Sequence, residues 1–310
     1  STRRPTRALT PAGRTAPRSH DPEPYLMSLR KTKGAILCPG CKRLIDADEP
    51  KCPHCDLARP GMFGFGHVFG RLFGGKADLV AVIMTICVAL YVGTLALDWR
   101  NIGFGGFLSL LNPSGRALYV FGMTGGDAWT LGHWWTASTA TFLHGGLIHL
   151  AFNMIWLRML GPTVIEELGP ARFIVAFVLT GITGALTGNL YYTMAHGVPW
   201  PSIGASGAVF GLMGLLLTYA RRRGGAWGRQ LQGRMAAWAL IAFLFGFAMP
   251  GVNNAAHFGG AVGGLLLGYL LPRRERQREG AVVQVLAMLL MAGTAAGMVA
   301  SMVLMYPRFF

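Results

Sequence analysis

Several stretches of this chain run for most of a membrane's width without a charged side chain, and that restricts its fold more than any other feature. Leu79 through Leu97 is uncharged throughout, and the run opened by Gly204 carries no charge as far as Tyr219. A bilayer core takes about 20 apolar residues per helical crossing. Backbone polar groups inside it must be satisfied within a helix or a closed barrel. Runs of this length predict spans at about 79–97, 136–157, 171–194, 204–220, 235–249, 254–271 and 281–304. With 52% hydrophobic and only 13% charged residues, the 310-residue chain has the balance of an all-α polytopic membrane protein. Its 44 glycines and 15 methionines suit helices packed closely in a membrane.

The formal net charge is +15, which on a soluble protein would raise nucleic acid as a partner. Here the basic residues concentrate in the N-terminal tail and two loops, as topology signals do, and no nucleic-acid partner is expected. Arg221, Arg222, Arg223, Arg229 and Arg234 follow the fourth span; Arg273, Arg274, Arg276 and Arg278 follow the sixth. The loops after the third and fifth spans hold no Lys or Arg. The positive-inside rule then places the N-terminus in the cytoplasm and the C-terminus outside, with a bacterial inner membrane as the expected location. Residues 1–36, rich in Arg, Pro, Thr and Ala, predict a disordered basic tail. The polar start and a first apolar run near Leu79 argue against a cleavable signal peptide. Met27 is a candidate natural start, which would make residues 1–26 an extension.

Four of the five cysteines form two knuckles, Cys38-Pro39-Gly40-Cys41 and Cys52-Pro53-His54-Cys55. Two CxxC knuckles at this spacing supply four thiolates to one tetrahedral metal and resemble a small zinc ribbon, expected over 37–58. Disulfides and redox chemistry are the competing readings, and both lose in a reducing cytoplasm. His54 reads as a spacer, since four sulfurs fill the shell. Structural zinc would fold a segment too short for its own core, and a closed shell leaves nothing for catalysis. Residues 59–78 read as a linker. Cys87, alone in an apolar run, reads as a small core residue.

The connection from Asp98 to Trp135 is too long for a simple loop. It carries Trp99, Trp129, Trp134 and Trp135 with apolar Phe104, Phe107, Leu108, Leu110 and Leu111, and predicts a segment lying partly in the interface. Polar residues inside the spans are few. At about 100° per residue, His149 and Asn153 share a helix face, and His144 lies roughly 140° round from His149. Such groups often serve only as hydrogen-bonding glue between helices. A metal site is the other option, weakened because no carboxylate lies in any other span. Ser206 and Phe210 share a face beside Gly207, Gly211 and Gly214. His257 shares a face with Gly260, Ala261, Gly264 and Gly268. Small-residue stripes let two backbones approach, as a serine and a histidine on separate helices require.

GASG at 204–207, the pattern His144-x4-His149-x3-Asn153 and AHFGGAVGG at 256–264 occur in this order, in the second, fourth and sixth spans. Together they resemble the rhomboid family of intramembrane serine proteases over about 79–271. Residues 272–310 would then be a basic loop and the seventh span of a six-plus-one arrangement. The resemblance implies Ser206 as nucleophile and His257 as general base and then acid, a dyad without a buried Asp. It implies His149, Asn153 and the Ser206 backbone N–H as donors to the oxyanion. Phe210 would stack on the histidine where the family usually has Tyr, and His144 would be structural. Two departures stand out: His133-Trp134-Trp135-Thr136 lacks the family's Trp-Arg, and Glu166 is one place from the usual acidic position.

The expected activity is cleavage of membrane-spanning segments of single-span or polytopic proteins, with no catalytic cofactor and the bilayer as surroundings. The fifth span, with Phe243, Phe245, Phe247 and Met249, and the loop Pro250–Asn254 would form a side gate and lid. A substrate helix must unwind before its carbonyl is attacked, so spans weakened by Gly, Pro or polar residues are expected, cut near their outer end. The alternative is a catalytically inactive relative that binds and steers membrane clients. A small-molecule transporter would call for intramembrane carboxylates and internal repeats, which are missing here. The ribbon is expected to dock a cytoplasmic protein or regulate the core.

Overall fold

The computed structural model describes residues 31–39, 41, 43–55, 57, 59–64, 78–104, 110–249, 251–271 and 279–310. The expected tail therefore lies almost wholly outside the described residues, as do residues 65–77 of the linker, Phe107 and Leu108, Pro250, and the arginines at 273–278.

The N-terminal unit is a two-stranded antiparallel hairpin, β1 (Ala35–Leu37) and β2 (Leu44–Asp46), with Ile36 opposite Ile45. Each strand buries its central residue, as period-two alternation requires. Those two isoleucines pack with Cys38, Ala47 and Cys52 into a small core. Each knuckle is closed by backbone bonds, Cys38 N–H to the Arg43 carbonyl and Cys52 N–H to the Leu57 carbonyl, both 2.9 Å. Among the described residues the Gln284 side-chain amide donates to the Pro39 carbonyl at 3.4 Å, and Met62, which follows the hairpin, packs into the helical core.

Seven long helices follow among the described residues: α1 (Leu79–Leu97), α2 (Leu147–Leu168), α3 (Pro170–His196), α4 (Ser206–Arg223), α5 (Gly225–Ala248), α6 (Asn254–Leu270) and α7 (Ala281–Phe309). Their ends follow local chemistry. Asp78 caps α1 by accepting from Ala81 N–H at 3.0 Å, and Asn253 caps α6 by accepting from Ala256 N–H at 2.9 Å. Pro170 opens α3, where its missing N–H costs nothing. Five of the seven, all but α4 and α6, are long and apolar enough to cross a membrane by length and composition. The chain is a multi-pass membrane protein.

α4 and α6 form the centre. α4 ends in three arginines and α6 has only 17 residues. Their glycine stripes face each other: a methyl built on Gly264 would sit 1.8 Å from the Gly211 carbonyl oxygen, and one on Gly260 would sit 2.0 Å from that of Gly207. Only hydrogen fits at those two positions, so the helix backbones touch. α3 packs across both, burying Phe173, Phe177 and Thr180.

Two helices differ from expectation. α2 starts at Leu147, eleven residues beyond the expected edge. Residues 136–142 instead form a short helix and a 3-10 turn, held where the Thr139 hydroxyl donates to the Gly122 carbonyl at 2.6 Å. The Gly145-Gly146 pair separates this turn from α2, so His144 lies before the helix. At its far end α2 continues through Pro162 to Leu168, and in its last turn Glu167 pairs with Arg223 at 2.7 Å and accepts from the Tyr219 hydroxyl at 3.0 Å. α5 starts at Gly225, ahead of the expected edge at 235, so Arg229 and Arg234 lie on a helix. Its connector needs only Gly224 and Gly225, at φ 72° and 68°, left-handed values that glycine adopts freely.

α7 is anchored at both ends. Glu279, just before it, accepts from the Ala171 and Arg172 N–H groups at 3.1 and 2.7 Å, capping α3. Near its other end Ser301 accepts from the Trp135 indole N–H at 3.0 Å.

Candidate active site

Ser206 is the first residue of α4, and His257 lies in the first turn of α6. Because α4 ends at Arg221–Arg223, both sit at the end of the helix pair opposite those arginines. The contact of the two backbones brings the Ser206 Oγ to 2.9 Å from His257 Nε2. Gly204, at φ 123°, turns the chain into α4. A methyl there would meet the His149 Nε2 at 2.7 Å and approach the Ser206 Oγ at 3.7 Å. The glycine before the serine thus supplies both a backbone angle and the room for an imidazole beside it.

The hydrogen bonds fix which nitrogen carries each proton. His257 Nδ1 faces the Asn254 side-chain oxygen at 3.2 Å, an acceptor, so Nδ1 carries the hydrogen. Nε2 is then the acceptor, oriented to take the Ser206 hydroxyl proton. His149 has the complementary arrangement. Its Nδ1 accepts from the Gly145 N–H at 3.3 Å, leaving an N–H on Nε2 beside Gly204 and Ser206. The Asn153 amide donates one N–H to the His149 carbonyl at 2.8 Å and keeps a second. Ser206 begins a helix, so its backbone N–H belongs to the first turn, where intrahelical acceptors are lacking. Phe210, one turn into α4, stacks on His257 with centroids 4.4 Å apart and planes 16° apart.

Ser206, Phe210, His257, His149 and Asn153 line one cavity of about 610 Å³ that reaches α2, α4, α5 and α6. Among the described residues its lining carries no Asp, Glu, Lys or Arg. The arrangement offers a hydroxyl on an acceptor nitrogen, with two side-chain N–H donors from α2 lining the same cavity. That is the equipment of nucleophilic acyl transfer. His144 is not part of the wall; it is buried with its ring edge-on to His149, centroids 5.3 Å apart. Of the expected gate residues, Phe245 and Met249 line the cavity, Phe243 packs edge-on to Phe210 at 6.4 Å, and Phe247 faces outward, 69% exposed. Two aromatic pairs bridge α2 to α5: Phe152 with Phe245 at 6.0 Å and Trp156 with Trp238 at 5.5 Å. The ion pair to α4 is made by Glu167.

Sequence reasoning placed Asn254 where the lid loop meets the sixth span and gave it no role at the site. The structure makes it the first residue of α6, as that span edge predicts, and sets it against His257 three residues on. That i to i+3 spacing on one helix was the available signal.

The four knuckle cysteines converge separately. Cys38 and Cys55 sulfurs are 3.7 Å apart, those of Cys41 and Cys52 3.6 Å, and all four lie within 4.8 Å of one another. Zinc–sulfur bonds of about 2.3 Å give tetrahedral edges of about 3.8 Å, so this donor set fits a metal ion. His54 is not in the set; its ring lies 3.4 Å from the Arg43 guanidinium.

A rhomboid domain family model matches residues 131–274. The chain is 34% identical over 149 residues to the rhomboid protease GluP of Bacillus subtilis (strain 168), covering 48% of this chain and 28% of that protein. It is 31% identical over 147 residues to YdcA of the same strain, covering 47% of this chain and 72% of YdcA. Inactive RHOMBOID-like protein 8 of Arabidopsis thaliana is 28% identical over 203 residues, 59% of this chain and 56% of that protein. The chain thus spans under a third of GluP and nearly three quarters of YdcA.

Proposed function

This chain belongs to the rhomboid family, and we propose that it is an intramembrane serine endopeptidase. The observation that carries the reading is the 2.9 Å contact between the Ser206 hydroxyl and a His257 nitrogen whose partner nitrogen is already committed to Asn254. In the proposed reaction His257 Nε2 removes the Ser206 proton as the oxygen bonds to the scissile carbonyl carbon. The carbonyl π pair moves to oxygen, and His149 Nε2–H, the Asn153 amide and the Ser206 N–H stabilise that oxyanion. Loss of one such donor typically costs about 3 kcal/mol of transition-state stabilisation. As the tetrahedral species collapses, the C–N bond breaks and the leaving nitrogen takes the proton from His257. Water, deprotonated by the same nitrogen, then cleaves the acyl ester and restores the serine.

The domains follow from this assignment: 79–271 as the catalytic core, 272–310 as basic loop and seventh span, 37–58 as the ribbon between a basic tail and a linker. Zinc held by Cys38, Cys41, Cys52 and Cys55 would cross-link the two knuckles, a structural role. Substrates would be membrane-protein spans with weak helices, admitted past α5. By the positive-inside rule, the basic C-terminal end of α4 and basic start of α5 support a cytoplasmic N-terminus and ribbon in a bacterial cell, with the dyad toward the outer face. The ribbon would there meet a cytoplasmic protein.

The second reading, a client-binding protein without catalysis, draws on the similarity to a relative named inactive. The intact Ser206–His257 contact favours the enzyme. Purified protein in detergent should cleave a single-span model substrate, and Ser206→Ala should abolish cleavage while leaving helical content unchanged. Cleavage by the variant at the parental rate would remove Ser206 from the mechanism.

A further inference from the structure

The His257 imidazole rests on two supports, and α5 stands behind both. Phe210 stacks on its face. Behind Phe210 stands Phe243 of α5, edge-on at 6.4 Å and 75°. Asn254 holds Nδ1 at 3.2 Å. Behind Asn254 lies Gly246 of α5, where a methyl would fall 2.3 Å from the Asn254 side-chain oxygen and 3.1 Å from its Cγ. Phe243 and Gly246 are three residues apart and share one helix face.

The rest of this half of α5 is loosely held. The buried residues of the helix are Gly228, Leu231, Met235 and Gly246, so past Met235 only Gly246 is buried. Leu240, Ile241, Leu244 and Phe247 are each more than half exposed. Besides the aromatic contacts of Trp238, Phe243 and Phe245, the tightest approach, made at Gly246, is to the Asn254 side chain, the group that sets the His257 tautomer.

We propose that α5 arms the dyad: Phe243 and Gly246 hold Phe210 and Asn254 in place, and these two hold the imidazole's plane and tautomer. Asn254 is then a positioning residue, and Gly246 is the wall that keeps its oxygen on Nδ1. The inference rests on the protease reading and deepens it. A substrate entering beside α5 displaces the wall, and His257 becomes competent again only when α5 returns. Segments bulky enough to wedge α5 outward are predicted to bind without being cut.

The test compares kcat, KM and the rate of Ser206 acylation by a small fluorophosphonate in the full chain. Its variants are Gly246→Ala, Asn254→Ala, the double variant and Phe243→Leu. Asn254→Ala is expected to lower kcat about tenfold, the worth of one neutral hydrogen bond, with KM within about twofold. Gly246→Ala should do the same, because its methyl pushes the amide off Nδ1. The double variant should be no slower than Asn254→Ala alone, since the added methyl no longer meets the Asn254 oxygen. Phe243→Leu, which adds no bulk, should slow acylation independently. Losses that multiply in the double variant, or that fall on KM with acylation unchanged, would overturn the coupling. Absence of Ser206 acylation in the parent protein would overturn the protease reading along with it.

Discussion

The helical centre and the cysteine hairpin both hold reactive atoms within about 4 Å of one another, by different means. In the hairpin the paired sulfurs come from cysteines 17 and 11 residues apart and stand 3.7 and 3.6 Å from one another. Their supporting core is five small or medium residues. That is too little apolar surface to fix a fold without a cross-link, and a metal ion would supply the link. At the centre, Ser206 and His257 are 51 residues apart. They are joined because glycines let α4 and α6 touch, backbone to backbone. One region would depend on a bound ion, and the other depends on the absence of side chains. The two should fail under different insults.

The largest effect should come from filling the helix contact. Gly264→Val places a branched side chain where a methyl already meets the Gly211 carbonyl at 1.8 Å. Overpacking of this kind costs about 1–3 kcal/mol. A displacement of about 1 Å at the dyad lowers turnover about a hundredfold. Thermal melting and substrate cleavage would measure both, while metal content should be unchanged. Wild-type cleavage by this variant would show that the dyad does not depend on the close approach. Next is the converse insult: Cys38→Ser with Cys41→Ser should release the metal and unfold the hairpin. The helical core's melting and its cleavage of an artificial substrate should be retained. Loss of cleavage with the core still folded would make the hairpin part of the working enzyme. The smallest effect concerns a hydrogen bond between the regions. Gln284 is buried, donates to Pro39 at 3.4 Å, and its side-chain oxygen has no hydrogen-bond partner. Gln284→Leu loses a weak bond and removes an unsatisfied acceptor, so stability should change by less than about 1 kcal/mol. A larger change, with altered metal content, would mean that the two regions are coupled.

Much of this arrangement was legible in the residues, for reasons that differ by region. The cysteine set is local, so spacing alone revealed it. The glycine stripes of α4 and α6 were visible as periodicity, but their mutual register was not. What joined Ser206 to His257 on paper was a family resemblance, and the geometry supplied the distance. Span edges failed where apolar composition outlasted the helix. Residues 136–143 are apolar and threonine-rich enough to pass for a span, yet Gly145-Gly146 breaks the chain before α2. The start of α5 is hidden in the sequence by Arg229 and Arg234, because charge ends an apolar run without ending a helix. Asn254 was overlooked because two adjacent asparagines serve two purposes: Asn253 caps α6, and Asn254 holds the histidine.

The pairing of Ser206 with His257 is tested most directly by mass spectrometry of the protein after reaction with a fluorophosphonate. The parent protein should carry the adduct on Ser206, and His257→Ala, still helical and monodisperse, should carry none. Equal labelling of Ser206 in both proteins, or an adduct confined to another residue, would contradict a serine activated by this histidine.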